Sequence, residues 1–355
     1  MKDPITLVIE ANGAMSKPVF KRLVFHPEFR STVSAVRSMS VSLPSASYDS
    51  QHSFSEASNL GQAVFMNLDG LQKVRLYPQK GCLLSRDYSD RLLAYDESLN
   101  VFSSLEGKAF ATSHSLVMMG RDEYLPANYL TFYFYTKSAE IVSRSKHIKL
   151  SDKPEYDSQV DYMKDRMEFL LDYSIEDSIL LIDGPLIAGD AYTSMIRPLK
   201  QLVDKNVTVV FFVKNSSSNL VTNSTPELAG KFNSDLHWCF RFLKPGERTG
   251  FFHYFDKSNS DNTKVFCYLK SFPSSPQRIE FYGKQFFRNP EKMAEITNLV
   301  HYHILAQGNT KNPQVRLIAI AEESARATLK TINFNQLTRE LNITPTINQE
   351  RFGWD

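Results

Sequence analysis

Three carboxylates stand where a folded chain could bring them together. Asp183 closes the apolar run I-L-L-I within S-I-L-L-I-D-G-P-L-I-A-G-D (178–190), and Asp69 follows A-V-F-M-N-L just before Gly70. Glu168 sits at the border of the apolar stripe of a helical stretch that begins near Asp157. A charge at the end of a buried strand must be hydrogen-bonded, paired or bound to a metal. Taken singly, an Asp-Gly after a strand is also an ordinary turn. Converging carboxylates offer the hard oxygen ligands that Mg²⁺ and Mn²⁺ prefer. Two such ions about 4 Å apart activate a water and stabilise the leaving oxygen of a phosphodiester. Glycoside hydrolysis is the other chemistry of paired carboxylates, but no sugar cleft is indicated.

The elements around these residues would have to position them. Ile179 to Ile182 reads as a strand buried on both faces. From Ala191 to about Lys205 a helical stripe follows, with Met195, Ile196, Leu199, Leu202 and Val203, and Val207 to Val213 is a second buried strand. This strand, helix and strand unit puts Asp183 at a carboxyl end, where ligands of open α/β sheets collect. Asp157 to Tyr173 is amphipathic through Val160, Met163, Met167, Leu170 and Leu171. Tyr129–Tyr135 reads as a strand by β-propensity. Residues 250–256, 264–270 and 277–282 read as three more, the first two joined as a hairpin. Residues 291–307 and 315–331 read as helices, and 71–84 as an antiparallel partner strand; 85–128 carry no clear period. His301 and His303, two apart on one helix, face different ways and are expected to be structural. Lys214, at a strand end, is placed either to contact a phosphate or to be solvated.

The chain has 355 residues, a formal net charge of +2 and 42% hydrophobic residues, the profile of a globular protein with ample core. Near-neutral charge gives no overall electrostatic argument for nucleic acid. Three cysteines without a paired C-x-x-C exclude a disulfide framework and a zinc knuckle, so a cytoplasmic setting is expected. No apolar run approaches the roughly 18 residues of a membrane span. There is no G-x-x-x-x-G-K, so any ATP-driven step must come from a partner.

The order of these features resembles the NurA family of nucleases. The resemblance is carried by Asp69-Gly70, by Arg166-Met167-Glu168 on a helix, and by L-L-I-D-G-P-L at 180–186. It continues through V-V-F-F-V-K at 209–214, R-I-E-F at 278–281 and the two helices that follow. It implies an α/β fold, an RNase H-like mixed sheet flanked by helices, with N- and C-terminal helical additions. The expected layout is an N-terminal helical and loop region at 1–60, a nuclease domain at 61–335 and a tail at 336–355. It further implies Asp69, Glu168 and Asp183 as catalytic metal ligands for Mn²⁺ or Mg²⁺, with Glu10 as the alternative to Asp69. The implied activities are 5′-to-3′ exonuclease and single-strand endonuclease action on DNA. The implied assembly is a homodimer docked to a HerA-like hexameric ATPase, in DNA end processing or phage defence. The family's last motif, Tyr-Pro and then a helical Ala-His, reads here as Asn312-Pro313 with no later His. Glu322 is the candidate replacement ligand, with Glu323 and Ile320 as competing alignments. The same departure makes a DNA-binding or ATPase-regulating subunit with an impaired site the alternative reading.

Overall fold

A computed structural model describes residues 6–7, 23–24, 28–40, 57–60, 63–120, 123–141, 146–187, 193–333, 336–337 and 340. Glu10, the C-terminal R-F-G-W-D and most of the Ser-rich stretch 40–60 lie outside them. The chain divides into the units Met1–Ser45 and Ala46–Asp355. In the first, β1 (Thr6–Leu7) pairs antiparallel with β2 (Leu23–Val24), and α1 (Phe29–Ser38) follows.

The second unit begins with β3 (Ala57–Leu60), β4 (Ala63–Asn67), β5 (Lys73–Arg75) and α2 (Pro78–Asp87). Three long strands come next, β6 (Leu92–Ser103), β7 (Lys108–Met119) and β8 (Tyr124–Thr136), then the short β9 (Ile148–Leu150). The central portion is α3 (Pro154–Tyr173), β10 (Ile179–Asp183), α4 (Thr193–Asp204), β11 (Thr208–Val213), α5 (Leu220–Ser224) and α6 (Asp235–Phe242). The remainder is β12 (Glu247–Thr249), β13 (Phe252–Asp256), β14 (Thr263–Lys270), β15 (Gln277–Tyr282), α7 (Gly283–Arg288), α8 (Pro290–Gln307) and α9 (Arg316–Lys330). Residues 71–84, expected as one strand, are instead the short β5 and α2, whose Pro78 opens the helix where a missing N–H costs nothing.

Among the described residues these strands form one sheet of 13, in the order β3-β4-β13-β14-β15-β11-β10-β6-β7-β8-β9, with β12 joining β14 to β5. Its core is an antiparallel meander, β8-β7-β6, continued by β10 and β11 running parallel to β6. The chain enters β10 from α3 and β11 from α4, the helical crossovers usual for parallel pairs in the centre of a sheet. This is the RNase H-like mixed sheet that the resemblance implies.

Side chains alternate across each strand, so the two faces bury different residues. One face packs Leu92, Ala94, Ile179, Leu181, Val210 and Phe212 against Leu317, Ile318 and Ala321 of α9 and the apolar stripe of α8. The opposite face packs Leu93, Tyr95, Leu180, Ile182, Val209 and Phe211 against α3 and α4. Helices α3 and α9 therefore lie on opposite sides of β6 and β10. That separation decides which carboxylates meet.

Candidate active site

Asp183 is the last residue of β10 and the only one of its strand that is not buried. Its neighbours follow from register. Ile182 pairs with Tyr95 in the parallel β6–β10 ladder, so the next step along both strands sets Asp183 beside Asp96. Both continue the alternation of Leu92, Ala94, Ile179 and Leu181 and so point to the α9 face. On the other side Asp183 pairs with Phe212, and Lys214 lies two residues further along that same face. Lys214 Nζ is 2.9 Å from Asp183 Oδ2 and 3.7 Å from Glu322 Oε2 of α9. Glu322 follows Ala321 at the edge of the buried stripe of α9, and Arg326 one turn on also pairs with it.

Asp96 is buried, accepts the Glu97 backbone N–H at 2.8 Å through Oδ1, and keeps Oδ2 buried without a hydrogen-bond partner. Burial, then the Asp183 and Glu97 carboxylates, push the Asp96 carboxyl up to about 8 against the pull of the Glu97 N–H and Lys214. A buried acceptor with a free lone pair, beside a second carboxylate, is the setting in which a cation relieves desolvation and repulsion together. Among the described residues no group of three or more His, Cys, Asp or Glu is gathered tightly enough to hold a metal ion. The Lys214 ammonium links Asp183 to Glu322, and Arg326 pairs with Glu322 as well. The donor set, carboxylate oxygens only, fits Mg²⁺ or Mn²⁺ and does not fit a soft metal.

Two residues expected here lie elsewhere. Asp69 follows β4, and four strands (β13, β14, β15 and β11) intervene between β4 and β10. Its Oδ2 accepts the Phe251 N–H at 2.8 Å, and Gly70 takes φ +76°, so this Asp-Gly is a turn. Glu168 is exposed on α3, on the other side of the sheet, where its charge acts on Tyr129 and Asp165. In Arg166-Met167-Glu168 the buried members are Arg166 and Met167. Arg166 Nη1 donates to Tyr162 Oη at 3.2 Å and its guanidinium lies over the Tyr95 ring, tying α3 to β6 behind Asp96. Glu323 is exposed and Ile320 packs against the α9-face core, so of the competing positions on α9 Glu322 is the one that meets Lys214.

Asp96 was not evident from sequence. Its signal is the run L-L-A-Y before D-E-S, the same apolar strand and terminal carboxylate that marks Asp183, here set inside a strand that continues for seven more residues as polar and apolar mixed. His301 and His303 are buried on α8 and contact Ser271 Oγ at 2.8 Å and Ser85 Oγ at 3.0 Å. Burial pushes both imidazoles down to about 4, which suits a structural role.

Residues 124–301, from β8 into α8, match the family model of the NurA domain. That span contains Asp183 and Lys214 and leaves Asp96 and Glu322 outside it. No curated protein matches the chain. Among solved structures, the NurA nuclease of Sulfolobus solfataricus is 10% identical and aligns over 81% of this chain and 89% of its own with a TM-score of 0.46. A NurA crystallised with manganese is 11% identical over 70% of this chain and 89% of its own, TM-score 0.37. A Ciona intestinalis endonuclease V in complex with inosine-containing DNA is 11% identical over 69% and 87%, TM-score 0.36.

Proposed function

The chain belongs to the NurA domain family, and from that premise we propose that it is a metal-dependent DNA nuclease acting through Asp96, Asp183 and Glu322. One observation carries the assignment: Asp96 and Asp183 end up side by side on adjacent parallel strands, with a buried Asp96 oxygen left unpartnered. Asp96 and Asp183 would hold Mn²⁺ or Mg²⁺, and Glu322 would complete the oxygen set from α9. When bound, the metal supplies a Lewis acid that makes water a nucleophile at neutral pH and offsets charge on the phosphodiester.

The chain's own groups have distinct parts. Asp96, held buried, favours any cation that lets it stay ionised. Asp183, less buried at the strand end, is the carboxylate open to the substrate side. Lys214 neutralises Asp183 and Glu322 in the absence of other cations. Its ammonium on a flexible stem can then turn to a phosphate oxygen as a point charge. The proposal extends, on family grounds, to 5′-to-3′ exonuclease and single-strand endonuclease action by a cytoplasmic homodimer. On the same grounds it works with a HerA-like hexameric ATPase in end processing or phage defence. Among the described residues no helix is long and apolar enough to cross a membrane.

The test is cleavage of end-labelled single- and double-stranded DNA with Mn²⁺, Mg²⁺ or EDTA, beside Asp183→Asn. Cutting that needs metal and disappears in the variant is the expected result. Cutting by Asp183→Asn at the wild-type rate removes Asp183 from the mechanism. Binding of DNA without cutting, even with the hexameric ATPase added, replaces the nuclease by a regulatory subunit.

A further inference from the structure

Glu280, on β15, is fully buried, and its carboxylate meets two cations and one main-chain N–H. Oε1 pairs with Lys264 Nζ of β14 at 2.7 Å and with Arg278 Nε at 2.8 Å. Oε2 accepts the backbone N–H of Leu186 at 2.7 Å. Leu186 is the third residue after Asp183, across Gly184 and Pro185. Gly184 takes φ +95° and donates its N–H to Phe212 O at 2.9 Å. The turn leaving Asp183 is thus held at both ends, by the main chain of β11 and by the side chain of Glu280. Arg278 reaches the neighbouring loop as well: its Nη1 donates to Ser216 Oγ at 2.9 Å, two residues past Lys214. Ser216 Oγ also accepts the Ser218 N–H at 3.2 Å, closing that loop on itself.

We propose that the buried Lys264–Glu280–Arg278 triad is a positioning device that fixes the two loops leaving Asp183 and Lys214, a role that rests on the nuclease reading above. Stability alone does not account for the triad. Well-packed apolar residues in place of a buried ion group are often as stable or more so. Apolar residues cannot accept the Leu186 N–H or donate to Ser216, and a main-chain N–H buried without a partner is itself costly. Burial works against the Glu280 carboxylate, yet Lys264 and Arg278 together hold its carboxyl below the usual range, so the acceptor stays charged. Its strand β15 lies beside β11, and its side chain points to the face opposite Asp183, so Glu280 acts through the loop without touching the reacting groups. Asp235 extends the same arrangement by accepting the Thr222 N–H at 2.8 Å and the Tyr268 hydroxyl at 2.9 Å, which anchors the far end of the Lys214 loop.

The experiment compares wild type with Glu280→Ala, Glu280→Gln and Ser216→Ala by hydrogen exchange of the whole chain, by Mn²⁺ titration, and by steady-state DNA cleavage. In Glu280→Ala, exchange rises across 184–187 while β10 and β11 stay protected. kcat falls by about 10²-fold, the size expected when catalytic groups shift by about an ångström, with KM for DNA little changed. Glu280→Gln keeps an oxygen for Leu186 and recovers part of both losses. Ser216→Ala, at a half-buried position that leaves the ion triad intact, raises exchange across 214–218 alone and lowers kcat by less. Should Glu280→Ala fail to fold, Ser216→Ala and Glu280→Gln decide the matter. Wild-type kcat and wild-type exchange in these variants overturn the triad's role while the nuclease reading stands. A wild-type protein that neither binds Mn²⁺ nor cuts DNA removes the nuclease reading, and the positioning role with it.

Discussion

Asp96 and Asp69 share a side chain and a preceding apolar run, and they differ in what the fold puts next to them. Asp69 meets a backbone N–H and caps a turn; Asp96 meets a second carboxylate on the adjoining parallel strand. Exchanging either for Asn keeps size and one oxygen acceptor and removes only charge. Asp96→Asn is expected to reduce metal-dependent DNA cleavage to background while retaining the far-UV spectrum. Asp69→Asn keeps its acceptor for Phe251, so cleavage should stay within a few-fold of wild type and stability should change by no more than about 1 kcal/mol. Both are read from initial rates and urea midpoints. Loss of activity in Asp69→Asn together with full activity in Asp96→Asn would reverse the assignment. Lys214→Ala, by leaving Asp183 and Glu322 without their ammonium, should make cleavage depend on a higher metal concentration only if Lys214 assists the bound state. Tighter apparent Mn²⁺ binding in this variant would mark Lys214 as a competitor for the site.

At the scale of elements, Gly81 in α2 shows how tertiary packing overrides local preference. Glycine weakens a helix interior, yet a Cβ here would stand 2.1 Å from Asn298 O and 2.7 Å from Tyr302 Cβ of α8. The residue sets how closely α2 and α8 approach. Gly81→Ala should therefore destabilise by about 1–3 kcal/mol despite its better helix propensity, as overpacking does. A raised thermal midpoint would contradict this. In sequence, Val74 and Leu76 followed by Cys82, Leu83 and Leu84 suggest a strand over the whole segment. Elements with clear signals are legible: β10 and β11 as unbroken apolar runs, α3 and α4 as amphipathic stripes, and α8 and α9 as helices either side of a turn. So is the strand-end position of Asp183. The strands β6 and β7 are not, because β7 buries Thr112, Ser113, His114 and Ser115 within the sheet, and buried polar residues erase an apolar period. With no period to mark β6, the sequence points to Asp69 and not to Asp96; the fold sets Asp96 beside Asp183 and separates Asp69 from β10 by four strands. Glu168 flanks a buried stripe, as its sequence position implies; what the period of one helix cannot give is the side of the sheet on which that helix packs.

At the scale of the whole molecule, the sheet of the second unit has two packed faces; His114, His301 and His303 are buried against them and His253 is half-buried. Burial depresses His114 to about 3 and His253, His301 and His303 to about 4. In the unfolded chain an imidazole titrates near 6.5. Between about pH 6.5 and pH 4 the unfolded state therefore binds more protons than the folded one, and stability falls as pH falls through that window. Each such histidine contributes a slope of up to about 1.4 kcal/mol per pH unit. Asp96 opposes this trend, since its carboxyl is raised in the fold and stabilises towards low pH. Comparison of variants isolates the histidine part. His301→Gln/His303→Gln keeps polar atoms opposite Ser271 and Ser85 and removes two titrating groups. Its unfolding free energy, measured by urea at pH 7, 6 and 5, should fall less steeply with acid than that of wild type. Equal slopes in the two proteins would mean that the α8 imidazoles take up protons in the folded state as readily as in the unfolded one. The packing of α8 against β14 and α2 would then have to open to water.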